Sequence, residues 1–177
     1  ILMLFIMALG VYLFMIHLKF DPIIAFISAI ALPLSCHFLG LLEIGHNTKF
    51  KAVVYIPWIM FTVHYLKERR SLLALGATAI LFIVQLRANH PQISYYTYLM
   101  ILIYWIAQLI WAIKDKELRS HIIFSVLLLS AFLISFMAIA QPYFSSYEYG
   151  HYTIRGGETG LSTSYATSWS FHPMEIL

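Results

Sequence analysis

The hydrophobic residues of this chain fall into six long runs that are separated by short polar or charged turns. The runs cover about 1–18, 22–42, 52–66, 71–87, 93–113 and 120–140. Most approach the length of about 20 residues that a helix needs to cross the hydrocarbon core of a bilayer. None shows the polar and apolar alternation of membrane β-barrel strands. The pattern predicts an all-α integral membrane protein with about six transmembrane helices and short loops.

Proline and capping residues indicate where several of these helices begin. Asp21 and Pro22 fit the N-cap and first turn of the second helix. Pro57 lies inside the third run and predicts a kink there. That run is short unless Lys49 and Lys51 extend their side chains from its first turn towards the membrane surface.

The chain changes character after residue 140, where it becomes polar, aromatic and glycine-bearing and contains no further spanning run. We therefore predict a transmembrane domain over 1–140 and an extracytoplasmic tail over 141–177, the tail being part of a truncated periplasmic segment. The sequence starts and stops inside apparent elements, so we expect it to be an internal fragment of a longer protein.

Composition supports a bilayer as the solvent and narrows the classes of partner. Hydrophobic residues make up 61% of the 177 and charged residues 11%, with a mean hydropathy of +0.80. The net charge of +3 is small and no basic stripe is present, which argues against a nucleic-acid partner. The single cysteine, Cys36, excludes an internal disulfide framework.

The distribution of Lys and Arg between alternate loops predicts the orientation, because short cytoplasmic loops retain positive charge. One set of loops carries seven of these residues and the other set carries four. The seven are Lys19, Lys67, Arg69, Arg70, Lys114, Lys116 and Arg119. We expect that side to be cytoplasmic, and 42–51, 87–92 and 141–177 to be extracytoplasmic.

The first polar turn, residues 42–51, carries a histidine and an ammonium group at the start of a predicted helix. His46, Asn47 and Lys49 there predict an anion site, because free backbone N–H groups and the positive end of the helix dipole point the same way. The alternative is a simple turn with Gly45 as the C-cap and Asn47 or Thr48 as the N-cap.

The second polar turn, residues 87–92, concentrates four polar side chains beside the membrane. They are Arg87, Asn89, His90 and Gln92. A guanidinium beside such groups predicts a site for phosphate or pyrophosphate, which arginine binds with two parallel hydrogen bonds. The alternative is a helix break at Pro91 whose polar residues are solvated among the lipid headgroups.

The tail is rich in tyrosine and tryptophan around a few charged residues. We interpret it as a site for a sugar or lipid headgroup, because flat aromatic faces pack on the apolar faces of sugars. A folded aromatic cap lying on the membrane is the alternative. The candidate residues are Tyr147, Glu148, Tyr149, Arg155, Tyr165 and Trp169.

We predict no metal site from the sequence, because His46, His90 and His151 show no ligand spacing. The other histidines that fall near predicted helix ends on the cytoplasmic side are interpreted as interfacial residues. These are His17, His64 and His121.

Five short strings, taken together, resemble the YfhO family of bacterial membrane proteins in the form common among Bacteroidetes. They are GHNTK at 45–49, ANHPQI at 88–93, YEYG at 147–150, RGG at 155–157 and YATSWS at 165–170. The resemblance runs from about the second helix to the end of the chain. It implies a GT-C-type glycosyltransferase of the bacterial cytoplasmic membrane, which takes a sugar from a polyprenyl-phosphate carrier and transfers it to a cell-envelope glycan or lipid.

The resemblance also implies that the catalytic acidic residue lies in an outer loop upstream of this sequence, so we do not assign that role to Asp21. Glu43, Glu148 and Glu158 are the carboxylates available on the predicted outer side. No cofactor is expected beyond the lipid-linked sugar donor. Two alternatives stay open: a transporter of lipid-linked sugars, and a non-catalytic subunit of a larger membrane assembly.

Overall fold

The computed structural model describes residues 1–153 and Thr167, and the regular structure of this part of the chain is entirely helical. The predicted all-α class is therefore confirmed. Within the described residues the helices are α1 (Leu2–His17), α2 (Pro22–Ala31), α3 (Cys36–Glu43), α4 (Asn47–Val54), α5 (Ile56–Arg69), α6 (Leu72–Arg87), α7 (Pro91–Lys114) and α8 (Leu118–Gly150).

Side-chain caps and glycine geometry explain several helix boundaries. The Asp21 carboxylate accepts a hydrogen bond of 2.8 Å from the Ile23 N–H and Pro22 opens α2, as predicted. The Ser71 hydroxyl accepts from the Ala74 N–H at the start of α6. Gly45 follows α3 with a φ of +80°, a left-handed conformation that glycine adopts without a steric penalty. A turn separates α3 from α4 as predicted, but the C-cap is Ile44, one residue before the predicted Gly45.

Two of the predicted helices are each interrupted. The predicted second helix (22–42) is wrong as a single element, because α2 ends at Ala31 and α3 begins at Cys36. Pro33 lies in the interruption, where it lacks the N–H needed to continue the helix. The predicted third helix (52–66) begins earlier, at Asn47, and breaks at Tyr55. Pro57 opens α5 rather than kinking a continuous helix, so the predicted kink is also wrong.

The predicted end of the last helix is wrong as well. Helix α8 continues through Pro142 to Gly150, so 141–150 is helix rather than loop. The Ser146 hydroxyl donates a hydrogen bond of 2.8 Å to the Pro142 carbonyl, one turn earlier in the same helix. Polar side chains do not prevent a helix, because the helix forms its hydrogen bonds within its own backbone. The polar composition of 141–150 therefore did not predict where α8 ends.

In the described part of the chain, three helical segments are long and apolar enough to cross a membrane, which makes the chain compatible with membrane insertion. They are Pro22–Glu43, taken across its interruption, Pro91–Lys114 and Leu118–Gly150. Helices α1 and α6 are apolar but have 16 residues each. At 1.5 Å per residue they are about 24 Å long, shorter than a hydrocarbon core of about 30 Å. The count of six spans stays a prediction.

The chain divides into two compact units, Ile1–Ile139 and Ala140–Leu177. The first unit contains two buried apolar clusters. One joins α5, α6, α7 and α8 through residues such as Val63, Phe82 and Phe124. The other joins α1, α3, α4 and α7 through residues such as Met7 and Phe50. Helix α1 contributes to the second cluster at its N-terminal half and contacts α5 at its C-terminal end, so it connects opposite ends of this unit.

Candidate functional site

The two polar turns that the sequence singled out lie at the same end of the first unit. Phe50 and Val53 of α4 belong to the same buried cluster as Ile93 of α7, and Ala88 of the second polar turn packs against it. The sequence alone could not predict that these two turns meet, because three helices and their turns separate them along the chain. The structure thus combines two predicted part-sites into one polar end, defined here as 42–51 with 87–92.

Gln85 fixes the relative position of the two turns. Its side chain is fully buried, and its Nε2 donates hydrogen bonds of 3.0 Å to the Ala52 carbonyl and 2.8 Å to Thr97 Oγ1. The Thr97 hydroxyl in turn donates to the Ile93 carbonyl at 3.0 Å. One amide therefore links α4, α6 and α7, two residues before Arg87 in the chain. Gln85 was not predicted to be a site residue, although a glutamine inside an apolar helix is a visible signal in the sequence.

The first polar turn presents its predicted residues at the surface. Glu43, His46 and Asn47 are exposed and Lys49 is half-buried. His46 is the N-cap of α4 and makes no side-chain capping hydrogen bond, so the prediction of Asn47 or Thr48 as N-cap is wrong. The first N–H groups of α4 are therefore not satisfied by this cap.

The second polar turn has a defined backbone and a partly engaged histidine. Asn89 adopts a left-handed φ of 55°, which asparagine tolerates better than most residues. His90 caps α7, with its Nδ1 accepting from the Ile93 N–H at 3.4 Å. Gln92 Nε2 donates to the Tyr96 hydroxyl at 3.0 Å. Arg87 and Asn89 are exposed, so Arg87 is the residue of this turn best placed to meet a ligand from outside.

The tail residues within the described part belong to the second unit. Tyr147, Glu148 and Tyr149 are exposed at the end of α8. The Tyr147 ring lies 5.6 Å from that of His151, and the Tyr149 ring 6.5 Å from that of Tyr152, measured between centroids. The remaining predicted tail residues lie outside the described residues: Arg155, Glu158, Tyr165 and Trp169.

An open apolar groove of about 400 Å³ runs between α6, α7 and α8 in the first unit. Leu102, Leu128 and Phe132 are among its lining residues. On its wall, Trp105 Nε1 donates a hydrogen bond of 2.8 Å to Ser125 Oγ, which joins α7 to α8. A groove of this character accepts a hydrocarbon chain.

The opposite end of the first unit is the charged end, where the end of α1, the end of α5 and the start of α8 meet. His17 of α1 pairs with Glu68 of α5, and the Arg70 guanidinium donates to the Ser120 hydroxyl. This brings together the turns that hold Lys19, Lys67 to Arg70 and Lys114 to Arg119. The grouping of seven positive residues at one end agrees with the loop count, whereas which side of a membrane they face stays a prediction.

A cluster of three ionisable side chains lies at this charged end. His17 Nε2 is 2.9 Å from Glu68 Oε2, and His64 Nε2 is 3.4 Å from Glu68 Oε1. Both histidines were predicted to be interfacial residues, and the cluster itself was not predicted. The spacing of His64 and Glu68, four residues apart on one helix, was the available signal. The approach of His17 from α1 was not visible in the sequence.

No protein-family model, curated protein or solved structure matches this chain. The site is therefore interpreted from its own residues. Chemically, the polar end offers cations and helix N-termini that suit an anion, and the groove offers an apolar wall. The cluster at the charged end offers nitrogen and oxygen donors.

Proposed function

We propose that this chain belongs to a membrane glycosyltransferase of the GT-C type, which transfers a sugar from a polyprenyl-phosphate carrier to a cell-envelope acceptor outside the bacterial cytoplasmic membrane. The observation that carries the proposal is the meeting of the two polar turns, which places Arg87 and His90 at the same end as His46 and Lys49. The resemblance to the YfhO family, which rests in part on strings from these turns, supports the same activity.

The phosphate of the carrier would bind at the polar end. Arg87 supplies a guanidinium that can form two parallel hydrogen bonds to phosphate, and Lys49 supplies a second positive charge. Helices α4 and α7 both begin at this end, and N-terminal N–H groups favour an anion. Cations at this position would stabilise the phosphate as it leaves the sugar.

The lipid part of the carrier would lie against apolar helix surface. The groove between α6, α7 and α8 has an apolar wall and opens outward, which suits an isoprenoid chain better than a polar substrate. The exposed large side chains of α7, such as Leu102 and Ile103, are also suited to contact with hydrocarbon.

Removal of a proton from the acceptor hydroxyl requires a carboxylate or histidine within reach of it. Glu43 is exposed in the first polar turn and is the carboxylate of the first unit that lies at the polar end. Glu148, which is exposed near the end of α8, is assigned to acceptor or sugar binding. Glu158 lies outside the described residues and stays a candidate from the sequence. The main catalytic carboxylate is proposed to lie outside this sequence.

The test is binding of a polyprenyl-phosphate headgroup analogue to the full chain in lipid nanodiscs. We expect Arg87→Ala to weaken binding by at least tenfold, whereas Arg119→Ala, which removes an exposed arginine at the charged end, should leave it unchanged. Arg87→Lys should recover only part of the loss, because an ammonium cannot replace the planar fork.

His90→Ala is a second variant, with the caution that it also removes the cap of α7. Its helix content is therefore measured beside its affinity. Failure of the unaltered chain to bind the analogue would overturn the lipid-carrier proposal and favour a non-catalytic membrane subunit. Equal losses in Arg87→Ala and Arg119→Ala would show that binding depends on general charge and not on the polar end.

A further inference from the structure

The cluster at the charged end combines two imidazoles and one carboxylate from two different helices. The potential ligand atoms of His17, His64 and Glu68 all lie within 4.8 Å of one another. We propose that these three residues form a zinc site, which is independent of the proposed transfer reaction because it lies at the opposite end of the first unit.

The spacing of the atoms agrees with zinc coordination. Zinc–nitrogen and zinc–oxygen bonds of about 2.0–2.2 Å at tetrahedral angles place neighbouring ligand atoms about 3.3 Å apart. The carboxylate oxygens of Glu68 lie 2.9 Å from His17 Nε2 and 3.4 Å from His64 Nε2. Small side-chain rotations are therefore enough to bring all three ligands to one ion.

The close contact between His17 and Glu68 does not have the geometry of a hydrogen bond. Although the two atoms are 2.9 Å apart, the buried His17 Nε2 has no hydrogen-bond partner of acceptable geometry. A buried ring nitrogen without such a partner carries a desolvation cost. Coordination to a metal ion that also binds Glu68 would remove this cost.

A tyrosine from a third helix orients one of the proposed ligands. The Tyr104 hydroxyl of α7 lies 2.7 Å from His64 Nδ1. When Nδ1 donates to this oxygen, Nε2 carries the lone pair and faces Glu68, which is the tautomer that a metal requires. Ligating histidines commonly use their second nitrogen in this way. The contact with Tyr104 thus orients His64 so that its Nε2 is available to bind a metal ion.

Aromatic side chains hold the other histidine. The His17 ring lies 5.1 Å from the Phe61 ring and 5.9 Å from the Tyr65 ring, measured between centroids, both edge to face. The Arg69 guanidinium lies over the Tyr65 ring at 5.9 Å from its centroid. These contacts restrict the rotation of His17, so less entropy is lost when it binds an ion.

The ligand types select the class of metal. Two imidazole nitrogens suit zinc and its first-row neighbours, whereas magnesium and calcium prefer sites made of oxygen. The Glu68 side chain is 43% exposed, so water can reach the fourth position. Lys67 precedes Glu68 in the sequence, and its positive charge disfavours the binding of a metal cation nearby. We therefore expect weaker affinity than that of a buried structural zinc site.

The test uses the full chain in nanodiscs, stripped with a chelator and titrated with Co²⁺ and then Zn²⁺. We expect one Co²⁺ per chain, with the visible absorption of a tetrahedral site, displaced by one Zn²⁺. His17→Ala, His64→Ala and Glu68→Gln should each lower the affinity by at least about 100-fold, since changes outside the ligand shell alone cost 10–100-fold. His37→Ala, which removes an exposed histidine of α3, is the matched control.

X-ray absorption of the zinc-loaded unaltered chain gives a second readout that does not depend on variants folding. Two imidazole ligands per zinc are expected. Fewer than two, no stoichiometric binding by the unaltered chain, or equal loss in His37→Ala would each overturn the zinc site. The cluster would then be an ion pair and hydrogen-bond network that fastens α1 to α5.

Discussion

Gly10 of α1 and Trp58 of α5 are packed so closely that no side chain fits between them. A Cβ atom placed on Gly10 would lie 2.6 Å from Cδ1 and Nε1 of the indole. The indole has little freedom to withdraw, because its Nε1 donates a hydrogen bond of 2.8 Å to the Ile6 carbonyl on the same helix as Gly10. A small residue thus sets the separation of α1 and α5.

Gly10→Ala should lower the free energy of unfolding by about 1–3 kcal/mol, the usual cost of inserting a methyl group into a packed contact. Unfolding by denaturant in micelles measures this. Gly76→Ala is the control, because a Cβ there meets nothing within 4 Å. If Gly10→Ala is as stable as Gly76→Ala, the close approach of α1 and α5 is incorrect.

Gln85→Leu should lower the free energy of unfolding by about 1 kcal/mol, because the buried Ala52 carbonyl loses its side-chain donor. The loss stays small because the change also removes the Gln85 Oε1, which is buried without a partner. Gln141→Leu is the control, since Gln141 is exposed on α8 and lies outside the polar turns. Binding of the carrier headgroup analogue should fall in Gln85→Leu more than in Gln141→Leu. The reverse order would show that Gln85 does not position the polar turns.

The helix boundaries show what the sequence could and could not predict. Asp21, Ser71 and Pro91 act locally, and the helices beside them begin within about two residues of the predicted positions. The helix break at Pro33 was not predicted, because Pro33 lies inside a continuous apolar run and hydropathy does not show whether the helix backbone is continuous. The polar residues after Gln141 predict a loop, yet α8 continues to Gly150, because a helix satisfies its own backbone hydrogen bonds whether or not its side chains are apolar.

In the candidate site too, the local sequence predicted individual residues but not the tertiary contacts between them. His46, Lys49, Arg87 and His90 were found from their turns, but their placement at one end depends on tertiary packing through Gln85. His64 and Glu68 are four residues apart and could have been paired from the sequence. His17 reaches them from α1, which packs closely against α5 at Gly10 and Trp58, and no local sequence pattern predicts that contact.

Leu102→Trp should weaken binding of a long-chain polyprenyl phosphate while leaving the affinity for a short headgroup analogue unchanged. Leu102 lines the apolar groove and is half exposed, so an indole at this position would occupy space needed by the lipid chain. Ile103→Trp is the control, because Ile103 is the next residue of α7 and is exposed but does not line the groove. Titration of both ligands against both variants in nanodiscs separates the effects. A similar loss in the two variants would exclude the groove as the lipid site.

Tyr104→Phe should lower the Co²⁺ and Zn²⁺ affinity of the cluster by roughly 10–100-fold without removing any ligand atom. The phenol fixes the tautomer and orientation of His64 through the 2.7 Å contact with Nδ1, and phenylalanine keeps the ring but loses the oxygen. Tyr95→Phe removes a hydroxyl from an exposed tyrosine near the other end of α7 and should leave affinity unchanged. Both titrations follow the cobalt absorption, with helix content checked by circular dichroism.

Unchanged affinity in Tyr104→Phe would mean that His64 is held for metal binding by its helix alone. A loss confined to that variant would extend the zinc site to a third helix, so that one ion would join α1, α5 and α7.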